Sequence, residues 1–136
     1  MTDRHLFRQL VESPDILVLP GVFNGYSVRL VERFGFKAAA ITGAGISESV
    51  LGWADRGILT FDENLRACRA LADCCTIPLL ADADTGYGNV LNVHFVTRAF
   101  EQAGLAAISI EDQVWPKRCG HLSGKAVIPA QEMADK

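Results

Sequence analysis

Residues 78–110 read PLLADADTGYGNVLNVHFVTRAFEQAGLAAISI, and their order decides the fold. Pro78-Leu79-Leu80-Ala81-Asp82 is a short apolar run of strand length. From about Asn89 to Ala103 the apolar residues follow a helical period, and Gly104 supplies the stop. Leu105–Ile110 is a second apolar run. Strand, helix and strand in this order imply two parallel strands joined by a right-handed crossover. Both runs are almost continuously apolar, as expected of strands covered on both faces.

The alternation extends in both directions. Residues 2–12 read as a helix with Leu6, Phe7, Leu10 and Val11 on one side, and 16–19 as a strand stopped by Pro20-Gly21. A helix over 25–34 has Val28, Leu30, Val31 and Phe34 as apolar positions and ends at Gly35. A strand over 38–42 ends at Gly43-Ala44-Gly45, and a long loop runs through 46–59. Thr60-Phe61-Asp62-Glu63 is a capping-box pattern that starts a helix to about Cys74. A Gly/Pro/Lys-rich loop covers 112–127, and Pro129 opens a last helix. The class is therefore α/β with a parallel sheet, either an open doubly wound sheet or a (β/α)8 TIM-type barrel. A complete barrel needs ~250 residues. Residues 1–136 are expected to be the N-terminal part of one barrel domain, about its first four βα units, as a fragment or a truncated gene product, with no second domain.

Composition narrows the class further. The chain is 49% hydrophobic and 21% charged, which excludes a disordered protein. A formal net charge of −3 with no basic stripe argues against a nucleic-acid partner. No apolar run approaches the ~20 residues that cross a bilayer, so no membrane partner is expected. The opening MTDRHLFRQLVESPD is charged throughout and lacks a signal-peptide core, which points to the cytoplasm and reduced thiols. Cys68, Cys74 and Cys75 read as small buried hydrophobes, and no paired Cys/His spacing suggests zinc. His5 and His94 fall in helical segments as surface or packing residues.

Asp82 and Asp84 lie two apart at the end of the 78–82 strand, and such positions face the same side. The C-terminal ends of parallel strands are where active sites sit, in barrels and open sheets alike. Two adjacent carboxylates repel unless a cation or proton intervenes. Glu111 occupies the matching place after the next strand, and Asp55 lies in the loop after the 38–42 strand. Such an all-oxygen set suits a hard cation, Mg²⁺ or Mn²⁺. The plainer alternative is that Asp82 and Asp84 only cap the turn or the next helix. The glycines of Thr85-Gly86-Tyr87-Gly88 lack dinucleotide-loop spacing and let the backbone turn tightly beside the carboxylates.

Trp115-Pro116-Lys117-Arg118-Cys119-Gly120-His121 places a thiol beside cations and an imidazole. Nearby positive charge favours a thiolate, so Cys119 is a candidate proton donor or nucleophile, on a loop whose Gly120 and Gly124 would let it close over a ligand. The alternative is an ordinary exposed cysteine in a basic surface loop.

Six stretches, taken in order, resemble one family: Pro20-Gly21-Val22-Phe23, Thr42-Gly43-Ala44-Gly45, Leu51-Gly52-Trp53-Ala54-Asp55, Asp82 through Asn89, Ile110-Glu111-Asp112-Gln113, and Lys117 through His121. From about residue 14 onward they resemble the isocitrate lyase/phosphoenolpyruvate mutase superfamily, and the Lys-Arg-Cys-Gly-His loop resembles the methylisocitrate and dimethylmalate lyases. The resemblance implies a Mg²⁺-dependent carbon–carbon lyase acting on a 2-hydroxy polycarboxylic acid. It implies Asp84 as the main direct metal ligand, with Asp55, Asp82 and Glu111 holding the metal largely through its waters. It implies that Thr42, Gly43 and Ala44 grip the carboxylate of the 2-oxo acid portion. Cys119 would be the catalytic acid on a mobile gate, tuned by Lys117, Arg118 and His121. The partners implied are a small carboxylic acid substrate and further copies of the chain, a tetramer in full-length members.

Two departures accompany the resemblance. Lyases of the family commonly carry an aromatic residue two positions before Thr42, whereas this chain has Ala40, which leaves the base unassigned and makes room for a different substrate side group. The family's groups for the second carboxylate, and its swapped C-terminal helix, come from later segments. Alternatives within the superfamily are a phosphonomutase of the carboxyvinyl-carboxyphosphonate phosphorylmutase type and an oxaloacetate decarboxylase-type activity. A third is an inactive fragment.

Overall fold

The computed structural model describes residues 4–136. Its elements are α1 (Arg4–Glu12), β1 (Gly21–Val22), α2 (Gly25–Arg33), β2 (Ala39–Ile41), α3 (Gly43–Ile46), a π-helical turn Ser47–Leu51, α4 (Phe61–Ala72), β3 (Leu79–Asp82), α5 (Val90–Gln102), β4 (Ala107–Ser109) and α6 (Ala130–Asp135). The four strands are parallel and stand in the order β1-β2-β3-β4, with Ala40 opposite both Gly21 and Leu80, and Asp82 opposite Ser109. A doubly wound sheet reverses its strand order at a switch point. Here the order runs straight through, as in a (β/α) barrel, which bears out the expected architecture.

Strand pleating sets the layers. Ala39, Ile41, Leu79, Ala81 and Ala83 are buried and pack with Val28, Cys68, Leu71, Val96 and Phe100 in one core beneath the helices. The alternate residues Ala40, Leu80 and Asp82 are only half-buried and belong to the opposite face, the barrel interior. Three helices open on reciprocal caps: Asn24 with Ser27 in α2, Thr60 with Glu63 in α4, and Asn89 with Asn92 in α5. Each cap is worth ~1 kcal/mol. Only the Thr60 box follows the usual Ser/Thr…Glu/Gln pattern; the other two close with Ser or Asn at the third helical position, which the pattern does not cover.

Several expectations are corrected. The first strand is Gly21–Val22, not 16–19. Its ladder begins with the Ala40 N–H donating to the Pro20 carbonyl, and the residues before Pro20 lie ahead of β2, with Ile16 93% exposed. The segment 46–59 is not all loop. Thr42 caps α3 by accepting from the Gly45 N–H, and buried Ile46 and Ser47 carry the helix into the π turn, which Gly52 ends in a left-handed conformation (φ 71°). Strand β4 is shorter than 105–110. The expected helix start at residue 2 lies outside the described residues, and of the four apolar residues proposed for α1 only Phe7 is buried. Cys68 is buried, whereas Cys74 and Cys75 are half-buried; all four cysteines are free. Among the described residues no helix is long and apolar enough to cross a membrane.

Candidate active site

The turn after β3 holds the site's most constrained backbone. Asp84 and Tyr87 both adopt positive φ, 47° and 56°. Neither is glycine, so each costs ~1–3 kcal/mol and persists only where surrounding bonds over-determine it. Those bonds are present. The Asp84 N–H donates to Asp82 Oδ1 (3.0 Å), the Gly86 N–H to the Ala83 carbonyl (2.9 Å), and the Glu111 N–H to the Asp84 carbonyl (2.7 Å). The last bond joins the ends of β3 and β4.

Asp82 turns its other oxygen, Oδ2, to the Gly43 N–H (3.1 Å). A Cβ at residue 43 would stand 2.9 Å from that oxygen, so glycine is what lets the helix start approach the carboxylate. The first residues of α3 and the end of β3 are thereby joined. Of the proposed carboxylate grip, Gly43 lends its N–H to Asp82 and Thr42 its hydroxyl oxygen to Gly45.

Lys117 is the feature that sequence reasoning placed in a different role. In the sequence it stands as a cation beside Cys119. Instead its side chain is 2% exposed, and its ammonium lies 2.6 Å from Asp55 Oδ1 and 2.7 Å from Asp84 Oδ1. Burial opposes its charge, but the two carboxylates outweigh that and hold its pKa above the ordinary value. Burial raises the Asp84 pKa above the usual carboxylate range although Lys117 pulls it down. Asp84 Oδ1 is buried, and the Lys117 ammonium at 2.7 Å is its charge partner.

Glu111, also raised mainly by burial, accepts from Gln113 Nε2 (2.5 Å). The same amide donates to the Arg118 carbonyl (2.9 Å), and the Arg118 N–H donates back to Gln113 Oε1 (3.0 Å). Gln113 ends the Ile110–Gln113 stretch but carries no expected role in the sequence; only the fold, which brings Arg118 back to it, shows what its amide does. Cys119 donates its N–H to the Asp55 carbonyl (3.2 Å), and its Sγ lies 3.5 Å from His121 Nδ1. Arg118 sends its guanidinium to the Ser123 carbonyl (3.2 Å). The thiol's near neighbour is therefore the imidazole; the two cations are engaged elsewhere.

All four carboxylates thus stand at one end of the sheet, with Asp55 and Asp84 joined through Lys117. Among the described residues no three His, Cys, Asp or Glu side chains are gathered to hold an ion, and the Lys117 ammonium lies between Asp55 and Asp84. The donor set nevertheless fits a hard cation. It offers only oxygens, and two of its carboxylates, Asp55 and Asp84, already share one positive charge.

Residues 7–136 match the phosphoenolpyruvate phosphomutase family. The chain is 44% identical over 131 residues to a 2-methylisocitrate lyase of Aeropyrum pernix, covering 96% of this chain and 42% of that one. It is also 44% identical over 131 residues to the chloroplastic carboxyvinyl-carboxyphosphonate phosphorylmutase of Arabidopsis thaliana, covering 96% and 39%. A crystal structure of 2,3-dimethylmalate lyase, described as a PEP mutase/isocitrate lyase superfamily member, superposes with a TM-score of 0.92 at 39% identity, over 99% of this chain and 46% of that one. The chain spans less than half the length of these relatives, and its four βα units correspond to about half of a TIM barrel.

Proposed function

The chain belongs to the phosphoenolpyruvate phosphomutase family, within a superfamily of lyases and mutases, and from that premise we propose that the protein is a Mg²⁺-dependent carbon–carbon lyase. Its substrate would be a 2-hydroxy polycarboxylic acid of the methylisocitrate or dimethylmalate type, cleaved to a 2-oxo acid and a carboxylic acid. One observation carries the reading: the ammonium of Lys117, on the thiol-bearing loop, is held between Asp55 and Asp84. That contact supports a reading in which a cation site and a proton source lie among the same few residues.

Asp84, with Asp55, Asp82 and Glu111, would hold Mg²⁺ or Mn²⁺. The metal, when bound, supplies Lewis-acid stabilisation of the negative charge that develops on the substrate's oxygens. Thr42, Gly43 and Ala44 would bind the carboxylate next to the reacting carbon. As the C–C bond breaks, its electron pair stays on the carbon of the departing carboxylic acid. Cys119 Sγ would deliver its proton to that carbon, and His121 Nδ1, 3.5 Å away, is the group within reach to return one. Arg118, and Lys117 once clear of the carboxylates, would offset the developing charge, and closure of the loop would exclude water. The hydroxyl proton leaves to a base that Ala40 does not provide. Cytoplasmic residence and a homo-oligomer are part of the same reading. Phe34, Leu91 and Phe95, 77%, 68% and 66% exposed, are apolar surface that assembly would cover.

The test is a screen of 2-hydroxy di- and tricarboxylic acids with the protein in its natural length, following 2-oxo acid release with Mg²⁺ and in EDTA. Metal-dependent release from one class of acid is expected. Full turnover in EDTA would remove the metal from the account. The second reading, a phosphonomutase or oxaloacetate decarboxylase-type enzyme, is favoured by equal identity to a phosphorylmutase and a lyase. Phosphonate rearrangement or oxaloacetate decarboxylation, with no hydroxy acid cleaved, would select it.

A further inference from the structure

Asn64 is completely buried on α4, outside every motif that the resemblance rests on. Its side-chain amide reaches the end of β3. Nδ2 donates to the Asp82 carbonyl (2.8 Å) and lies 2.7 Å from the Tyr87 hydroxyl oxygen. The Cys68 thiol donates to Asn64 Oδ1 (3.4 Å), and Tyr87 Oη lies 3.3 Å from Asp84 Oδ2.

The donor and acceptor inventory leaves one assignment for the protons. A backbone carbonyl only accepts, so the atom facing Asp82 must be the amide nitrogen, which settles the O/N orientation. That nitrogen has no lone pair to offer, so its second N–H goes to the Tyr87 oxygen. Tyr87 has a single proton, and it is then free to point only at Asp84 Oδ2. The bonds run in one direction, from Cys68 through Asn64 and Tyr87 to Asp84.

We propose that Asn64 and Tyr87 are positioning residues for the cation site: together they occupy Asp84 Oδ2 and leave Oδ1 as the oxygen presented to a cation. The ammonium of Lys117 sits on Oδ1 in this structure. A carboxylate bonded through one oxygen is held in a single rotamer, and partners behind a ligand commonly set its affinity by ten- to a hundred-fold. This inference rests on the reading that Asp84 takes a divalent cation, and the experiment separates the two.

The experiment is Mn²⁺ binding to the protein in its natural length, read from the free-ion electron paramagnetic resonance signal, with the metal-free melting temperature measured alongside. Tyr87→Phe keeps the ring against Phe61 (centroids 5.4 Å apart) and removes only the hydroxyl. It is expected to weaken Mn²⁺ about tenfold while melting close to the parent. Asn64→Asp is nearly isosteric but draws the Tyr87 proton to itself. It is expected to weaken Mn²⁺ about as much, and the double variant no more than Tyr87→Phe alone, because both cut the same chain of bonds. Unchanged affinity in Tyr87→Phe, or losses that multiply in the double variant, would overturn the inference while the cation site stands. If the parent binds no Mn²⁺, the cation reading falls and this inference with it. Should Asn64→Asp fail to fold, Tyr87→Phe decides alone.

Discussion

The turn after β3 and the loop after β4 bring charged groups to the same end of the sheet but are held in opposite ways. In the turn, Ala83, Asp84, Thr85 and Gly86 are all buried, and main-chain bonds tie them to β4. In the loop, residues 120–127 are exposed; main-chain bonds close its base (Val114 with Ala126, Ile128 with Asp112) and reach Asp55 from Cys119, and the side chains of Lys117 and Gln113 pin it from within. A site that needs a fixed cation and a movable acid benefits from this division. The carboxylates stay where the fold puts them, and the thiol loop is released by breaking a small number of contacts.

Substitutions in the two regions should separate in kind. The largest effect is expected from Lys117→Met, which removes the ammonium and leaves the Asp55 and Asp84 carboxylates facing each other. In EDTA it should cost about 3 kcal/mol by urea unfolding, and added Mn²⁺ should restore most of the loss. Gly86→Ala comes next. The residue has φ +85°, and a Cβ there would stand 2.5 Å from Val93 Cγ2, so about 2 kcal/mol should be lost. Mn²⁺ should restore little of that, because the strain lies in the turn itself.

Gln113→Leu should cost about 1–2 kcal/mol by freeing the Arg118 N–H and carbonyl. Its distinguishing mark is faster proteolysis within 117–127 with hydrogen exchange at 82–89 unchanged. Equal loosening of both segments would erase the proposed division. The smallest effect belongs to a control outside the site. Glu32 Oε1 accepts from the Thr76 hydroxyl (2.6 Å) and N–H (2.7 Å), and these bonds hold its carboxyl below the ordinary 4.5. Its contribution is therefore complete above about 4.5 and fades as the pH falls through the lower folded value. Glu32→Gln should cost only about 0.5 kcal/mol at pH 7, and the parent and variant melting curves should converge in acid.

The sequence made the repeating βα order legible because apolar runs and Gly or Pro stops are local signals. The choice of a barrel over an open sheet rested on resemblance, since pairing is a long-range fact that local signals do not carry, and the straight strand order bears it out. Residues 16–19 are apolar enough for a strand, but a strand also needs a neighbour, and β2 starts too late to provide one. The short helix at Gly43–Ile46 was hidden by two glycines, although Thr42 was in place to cap it. In the site, the carboxylates stood out by charge and spacing. Lys117 was visible as a cation beside Cys119, but its contacts with Asp55 and Asp84 were not, because adjacency in the chain does not show that the fold turns the side chain inward. Asn64 gave no signal at all: an uncharged residue in a helix reveals its role only through what it touches.

The most direct test of the division between fixed cation site and movable acid is Cys119→Ser in the natural-length protein, assayed for 2-oxo acid release and for Mn²⁺ affinity on one sample. Turnover should fall by at least about a thousandfold with Mn²⁺ binding unchanged. A variant that cleaves its substrate at the parent rate, or that loses Mn²⁺ along with activity, would contradict the account.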